Sequence, residues 1–279
     1  MPALGQLIDA AIARLRDASP TPRVDVEALA QHAFGVARAA LIAGAGTTPS
    51  DVHAQQFLAL IERRRAGEPV AYLTGRREFW SLELRVSPAV LIPRPETELL
   101  VEQALLHIPI ETADTVFDLG TGSGALALAI AHERPHARVY ATDSARDAID
   151  IAVANATRLG LGHVEFRHGD WFAPLAGIEA DVVVSNPPYV RADDPHLAAG
   201  DLRFEPRAAL AAGADGLDAI RHIAADAPRY LRRGGWLLLE HGRDQGDAVR
   251  ALLTGYGYAE IAQHRDISGH DRVISARRA

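Results

Sequence analysis

The sequence predicts an α/β protein: an open, mainly parallel sheet of about seven strands, preceded by a small helical bundle and a linking hairpin. Three observations carry this. From about residue 115 onward, short apolar runs alternate with helical patterns, the signature of a parallel sheet with crossover helices. The first of those runs, Val116-Phe117-Asp118-Leu119, breaks into closely spaced glycines and re-enters as the helical stretch Ala125 to Ala131. Before about residue 75, apolar residues recur only at helical spacing.

In chain order, Leu4, Leu7, Ile8, Ala11, Ile12 and Leu15 mark a first amphipathic helix. Thr21-Pro22, followed by Asp25, opens a second through Ala28, Leu29 and Phe34, because proline is favoured in a first turn and an acid there meets the helix dipole. Ser50-Asp51 caps another that carries Phe57, Leu58 and Ile61. Phe79 to Val86 alternates apolar and polar residues, as a strand or hairpin does. Arg94-Pro95-Glu96-Thr97-Glu98 starts a further helix. Strands are expected near 115–119, 138–142, 163–167, 181–185 and 235–240, with a terminal pair near 257–263 and 271–276. The expected organisation is a helical domain over 1–75, a linking hairpin over 76–92 and the sheet domain over 93–279.

Composition narrows the function classes. At 279 residues and 48% hydrophobic content the chain can bury a real core. No apolar run is long enough for a membrane span, and Met1 to Gln6 lacks the basic-then-apolar order of a signal peptide, so a cytoplasmic location is expected. Zero cysteines removes disulfides, thiolate nucleophiles and cysteine-ligated metals, and the twelve histidines show no metal-ligand spacing. A formal net charge of -7 argues against an extended nucleic-acid surface. The densest basic clusters, Arg63-Arg64-Arg65 and Arg76-Arg77, read as a solvated helix end and a charged turn.

The chemistry concentrates after predicted strands. Gly120-Thr121-Gly122-Ser123-Gly124 brings bare backbone to a ligand above a helix N-terminus, which marks a nucleotide or nucleoside site without saying which. Gly120, Gly122 and Ala125, with Asp143 further on, also satisfy the dinucleotide pattern. Asp143 is placed to accept from ribose hydroxyls or to cap the next helix. Asp170-Trp171 can edge and cover an adenine, or Trp171 can fill core. Asn186-Pro187-Pro188-Tyr189 ends the run Asp181 to Ser185. It suits the holding of a planar NH2 group: the Asn186 carboxamide accepts one hydrogen, a proline-fixed carbonyl the other, and Tyr189 packs on the flat face. The plainer reading of those four residues is a turn closing a buried strand. No Ser-His-Asp set or general base is legible.

The chain resembles the bacterial peptide-chain release factor glutamine methyltransferases. The resemblance rests on Tyr72-Leu73-Thr74-Gly75, Glu78-Phe79-Trp80, Leu91 to Glu98, Phe117 to Gly124, Asp170-Trp171-Phe172, Ser185 to Tyr189, Arg203-Phe204-Glu205-Pro206 and Leu238 to Gly242. It implies a seven-stranded, Rossmann-like class I methyltransferase domain that uses S-adenosylmethionine, and a helical N-terminal domain. The implied substrate is the glutamine of the Gly-Gly-Gln loop in class 1 release factors. Gly120, Thr121, Gly122, Ser123, Gly124, Asp143, Asp170, Trp171 and Asn186 would bind the cofactor, and Asn186, Pro187, Pro188 and Tyr189 the glutamine amide. Methylation of an adenine amino group in RNA or DNA is the alternative, and an NAD-dependent oxidoreductase a third reading. No metal, membrane or direct nucleic-acid partner is expected, and a monomer is the default.

Overall fold

The computed structural model describes residues 2–279. The chain forms two compact units: one runs to Arg76 and includes Ala198–Phe204, the other comprises Arg77–Leu197 and Glu205–Ala279.

The first unit contains helices α1 (Leu4–Leu15), α2 (Pro22–Phe34), α3 (Arg38–Ala43), α4 (Asp51–Arg65) and α5 (Val70–Thr74). Leu7, Ala11 and Leu15 pack with Val26, Leu29, Phe57 and Ile61 in one apolar cluster. Pro22 occupies the first turn of α2, and the Ser50 hydroxyl accepts from the His53 N–H at 3.3 Å to cap α4. The expected pattern did not include α3 and α5, whose six and five residues are too short to display a period.

Arg64 is a correction. It follows Phe57 and Ile61 on the inward stripe of α4 and is only 6% exposed. Its Nε donates to Asp25 Oδ2 at 2.7 Å and its Nη1 to Asp201 Oδ1 at 2.9 Å. The Ser19 and Thr21 hydroxyls also donate to Asp25. This is a saturated buried ion pair rather than part of a solvated cationic face, and removing either partner would strand a charge. Arg76 and Arg77 likewise lie in a strand, not a turn.

Next in the chain comes a hairpin of β1 (Arg76–Phe79) and β2 (Leu82–Arg85), which from Arg77 on belongs to the second unit and is turned by Trp80 and Ser81 at positive φ. Then come α6 (Glu98–Leu105), β3 (Thr115–Leu119), α7 (Ala125–Glu133), β4 (Arg138–Asp143), α8 (Arg146–Leu159), β5 (Glu165–His168) and β6 (Ala180–Ser185). The chain continues through α9 (Asp218–Asp226), β7 (Leu231–Glu240), α10 (Gly246–Gly255), β8 (Tyr258–Arg265) and β9 (Asp271–Arg278). The sheet order is β5-β4-β3-β6-β7-β9-β8, parallel except for the antiparallel pairings of β9 with β7 and β8.

Two apolar layers sandwich this sheet. Val116 of β3 faces the layer of α6, α7 and α8, while Phe117 and Leu119 face α9 and α10. Helix α7 is buried all round from Ala125 to Ala131, and its alternating alanines let it lie close to the sheet. The hairpin packs Phe79, Leu82 and Leu84 into the first layer. Buried Asn155 on α8 then clamps it: its Oδ1 accepts from the Arg85 N–H, and its Nδ2 donates to the carbonyls of Arg85 and Ser123. Among the described residues no helix is long and apolar enough to cross a membrane.

Candidate functional site

Strand order reverses between β3 and β6, and in open α/β sheets ligands sit outside the strand ends at that point. The segments following β3, β4, β5 and β6 meet there in a cleft enclosing about 740 Å³, part of it open to solvent. Gly120, Gly122, Asp143, Asp170, Trp171, Asn186 and Pro188 line it. So do Ala89 to Leu91 and Pro206, Ala208 and Ala209, which the sequence did not single out as lining.

The glycine turn is built from the backbone outward. Gly120 and Thr121 both donate to the Thr142 carbonyl at 2.9 Å, joining the loop to the end of β4. Gly120 has φ 72°, and a Cβ there would point at the Trp171 ring 3.5 Å away, so a side chain would fill the space between loop and indole. Trp171 itself has φ 42°, and the Thr142 hydroxyl donates to its carbonyl at 2.8 Å. Asp143 does not cap the next helix, whose N-cap is Ala145 without a side-chain cap bond, but it accepts two backbone hydrogen bonds. Its Oδ2 accepts from the Gly122 N–H and its Oδ1 from the Ala145 N–H, each at 2.9 Å, while it remains half-buried at the cleft wall. Each oxygen keeps a lone pair for a ligand hydroxyl.

Thr121, Ser123 and Gly124 do not line the cleft; all three are buried beneath it. The Thr121 hydroxyl donates to Asp118 Oδ2 at 2.6 Å, the Ser123 carbonyl accepts from Asn155, and Gly124 packs against Leu128 and Ala152. Asp118 also accepts from the Ala127 N–H at 3.1 Å, pinning the start of α7 to the loop. It is 0% exposed and its other oxygen has no hydrogen-bond partner. Burial pushes this carboxyl up to about 7 against the pull of those two bonds, with Asp143 nearby adding to the rise.

That shift has a testable sign. A carboxyl with a raised folded pKa contributes stability that is complete below its unfolded value near 4 and is lost as pH rises through about 7. Relative to wild type, Asp118→Asn should therefore gain on the order of 2 kcal/mol more at pH 8 than at pH 5.5. Urea unfolding at both pH values checks this; using the difference cancels contributions from other groups. An equal effect at both would mean that Asp118 is charged throughout.

At the other wall, Asn186 is half-buried and Pro187 buried. Asn186 Nδ2 donates to Thr97 Oγ1 at 3.0 Å, which turns its carboxamide oxygen the other way. The Thr97 hydroxyl donates to Glu240 Oε2 at 2.7 Å, and the Tyr189 hydroxyl donates to Glu240 Oε1 at 3.1 Å. Burial raises the Glu240 carboxyl to about 7, opposed by the bonds from Thr97 and Tyr189, and raises the Tyr189 phenol. Arg94, two residues before Glu96, pairs with buried Glu205 at 2.5 Å. The sequence does not mark Thr97 or Glu240 as site residues. The one available signal was a charged residue closing the apolar end of β7, a strand whose carboxyl end points to the same rim.

The cleft fits S-adenosylmethionine: glycine backbone beside an aromatic wall for the adenosine, a carboxylate with free lone pairs for the ribose, and acceptors at the far wall. Among the described residues no group of His, Asp or Glu could hold a metal ion.

Residues 6–75 match the family model described as PrmC N-terminal domain, and 95–205 the one described as Methyltransferase small domain. The chain is 52% identical to the release factor glutamine methyltransferase of Xylella fastidiosa (strain 9a5c), over 99% of this chain and 98% of that protein. It is 48% identical to the enzyme of the same name from Escherichia coli (strain K12), over 96% of each. Among solved structures, a methyltransferase from Pyrococcus furiosus superposes with a TM-score of 0.55 at 15% identity, over 80% of this chain and 98% of that one, which shows the shared fold.

Proposed function

The chain belongs to the release factor glutamine methyltransferase family, and from that premise we propose that it methylates the side-chain amide nitrogen of the Gly-Gly-Gln glutamine in class 1 release factors. The observation that carries the reading is that Asn186 and Pro188 share one cleft with Gly120, Gly122, Asp143 and Trp171.

S-adenosylmethionine supplies an electrophilic methyl group on a sulfonium. The protein's own work is to bind and align. Asp143 would accept the ribose hydroxyls, Trp171 and the Gly120–Gly122 backbone would flank the adenine, and Asp170 would accept from its amino edge. Thr121, Ser123 and Gly124 support that turn from below. An amide nitrogen is a poor nucleophile because its lone pair is delocalised into the carbonyl. Asn186 Oδ1 and the Pro187 carbonyl each take one N–H, fix the NH2 plane, and share the positive charge that develops on nitrogen. Pro188 and Tyr189 close the glutamine's slot. The surplus proton on nitrogen leaves to water or to one of those acceptors, so no dedicated base is required.

A lone glutamine offers too little surface to distinguish one protein from another, so recognition needs a wider interface. The helical unit, residues 1–75, supplies it in this reading; the hairpin of 76–92 and the sheet domain of 93–279 form the transferase body. The enzyme works as a cytoplasmic monomer without direct nucleic-acid contact. The adenine-amine and NAD alternatives are set aside, since the family is one of release-factor enzymes.

The test is incubation with a methyl-labelled donor and an intact release factor, followed by peptide mass spectrometry. Label should sit on the Gly-Gly-Gln glutamine. A form starting near Val70, checked for folding by circular dichroism, should label the intact factor far less well. Label elsewhere, or on added RNA or DNA, would refute the substrate; equal efficiency of the shortened form would refute the helical unit's role.

A further inference from the structure

We propose that Thr97 and Glu240 are positioning residues that fix the polarity of the site, holding the Asn186 carboxamide with its oxygen toward the target and the Tyr189 phenol in place. This rests on the methyl-transfer reading above and adds what makes the cleft accept an NH2 group.

An asparagine side chain is nearly symmetrical in shape but opposite in polarity at its two ends. Turned one way, Asn186 offers an acceptor to an incoming N–H; turned the other, it offers its own NH2, donor against donor. Neighbours must therefore break the tie. Thr97 Oγ1 has one hydrogen, and Glu240 Oε2 takes it at 2.7 Å. The hydroxyl oxygen then has only lone pairs left to present, so the group facing it across 3.0 Å must be Asn186 Nδ2. Glu240 Oε1 takes the Tyr189 hydrogen by the same logic at 3.1 Å. One carboxylate, through two hydroxyls, thus sets the orientation of both side chains of the Asn-Pro-Pro-Tyr turn.

Burial strengthens the device. Thr97 is 3% and Glu240 1% exposed, so water does not compete for these hydrogens. The polarity holds while Glu240 is ionised. Protonation would place a hydrogen between the carboxyl and one hydroxyl, and if it pointed at Thr97, that hydroxyl's own hydrogen would turn on Asn186. The ionisable groups acting on Glu240 are Arg272, which favours its charged form, Glu96, which opposes it, and hydrogen-bonded Tyr189.

The experiment compares Thr97→Val, Thr97→Ser and Glu240→Gln with wild type, using intact release factor, and measures kcat, cofactor affinity by calorimetry, and melting temperature. Valine keeps the shape and deletes the acceptor, so kcat should fall about tenfold or more, with cofactor affinity within about threefold of wild type. Serine restores the hydroxyl and should recover most of the loss. Glutamine can accept from only one of the two hydroxyls and must donate toward the other. Glu240→Gln should therefore lower kcat as well, and should remove any acid limb of kcat that wild type shows near neutral pH. Combining Thr97→Val with Glu240→Gln should cost little more than either alone, because both break one chain. The proposal is overturned if Thr97→Ser is as impaired as Thr97→Val at unchanged melting temperature, or if both Thr97→Val and Glu240→Gln turn over normally. It is also overturned if the loss lies wholly in cofactor affinity. Wild type run in parallel separates the two readings: no label from wild type refutes methyl transfer itself and this proposal with it, whereas label from wild type and from all variants alike refutes only the positioning role.

Discussion

Asn186→Ala should lower kcat for methylation of intact release factor by about 10²-fold or more at saturating cofactor, by analogy with removing one preorganised group that stabilises transition-state charge. The fold should survive. Asn186 is half-buried at the end of β6, and its one named bond, to Thr97 at 3.0 Å, is worth about 1 kcal/mol. The strand behind it is held by Val182, Val183 and Val184, all fully buried. The amide acceptor strengthens its hold as charge builds on nitrogen, so the loss should fall mainly on kcat rather than on the substrate's KM. Rapid-mix methylation assays with a melting curve on the same sample check this. Near-normal turnover would remove Asn186 from the mechanism, and a collapsed melting temperature would make its role structural.

The second large effect is expected at a residue that touches no ligand. Gly216 has φ 78°, and a Cβ added there would collide with the Tyr189 carbonyl oxygen and come within 2.8 Å of Gln245 Nε2. That same Gln245 nitrogen donates to the Tyr189 carbonyl at 2.9 Å. Gly216→Ala should cost about 1–2 kcal/mol from the left-handed backbone alone. It should also push the Tyr189 main chain, and with it the Asn186-Pro187 acceptors, out of line, lowering kcat by about 10²-fold if the shift approaches 1 Å. Gly177→Ala is the control: its φ is 82° but a Cβ there meets nothing within 4 Å. The control should lose comparable stability and keep its activity. If the two variants behave alike in turnover, the Gly216 contact does not govern the site.

Gly216 shows where chain-local reading stops. Gly120 and Gly122 could be singled out because they sit between an apolar strand pattern and a helical one, and that local order implies a turn under a ligand. Nothing near Gly216 points to Tyr189; backbone bonds of Val190 and Ala192 to the 210–213 segment bring the two stretches together, and Gln245 bridges the Tyr189 and Asp215 carbonyls. Thr97 and Glu240 are a sharper case, since 143 positions separate the two ends of a 2.7 Å bond. Arg64 fails for a related reason: in a run of three arginines, which one faces inward depends on the phase of α4 and on Asp25, 39 positions away. Asp143 was legible as a strand-end acid, yet its bond to Gly122 was not.

What the sequence by itself determined was the order and type of the long elements, the strand ends where chemistry gathers, and, through its motifs, the family. Those properties are periodic or local, and the hydrophobic pattern that writes them is the one that drives burial. Tertiary structure alone decided which side of the glycine turn faces the cleft, leaving Thr121 and Ser123 beneath it, and which hydroxyl orients Asn186. It also decided that Ala198–Phe204 joins the helical unit. The physical reason is the range of the interactions. A side chain's burial phase is repeated every few residues along the chain, whereas a hydrogen bond a few ångströms long between distant segments is fixed only when packing has brought them together.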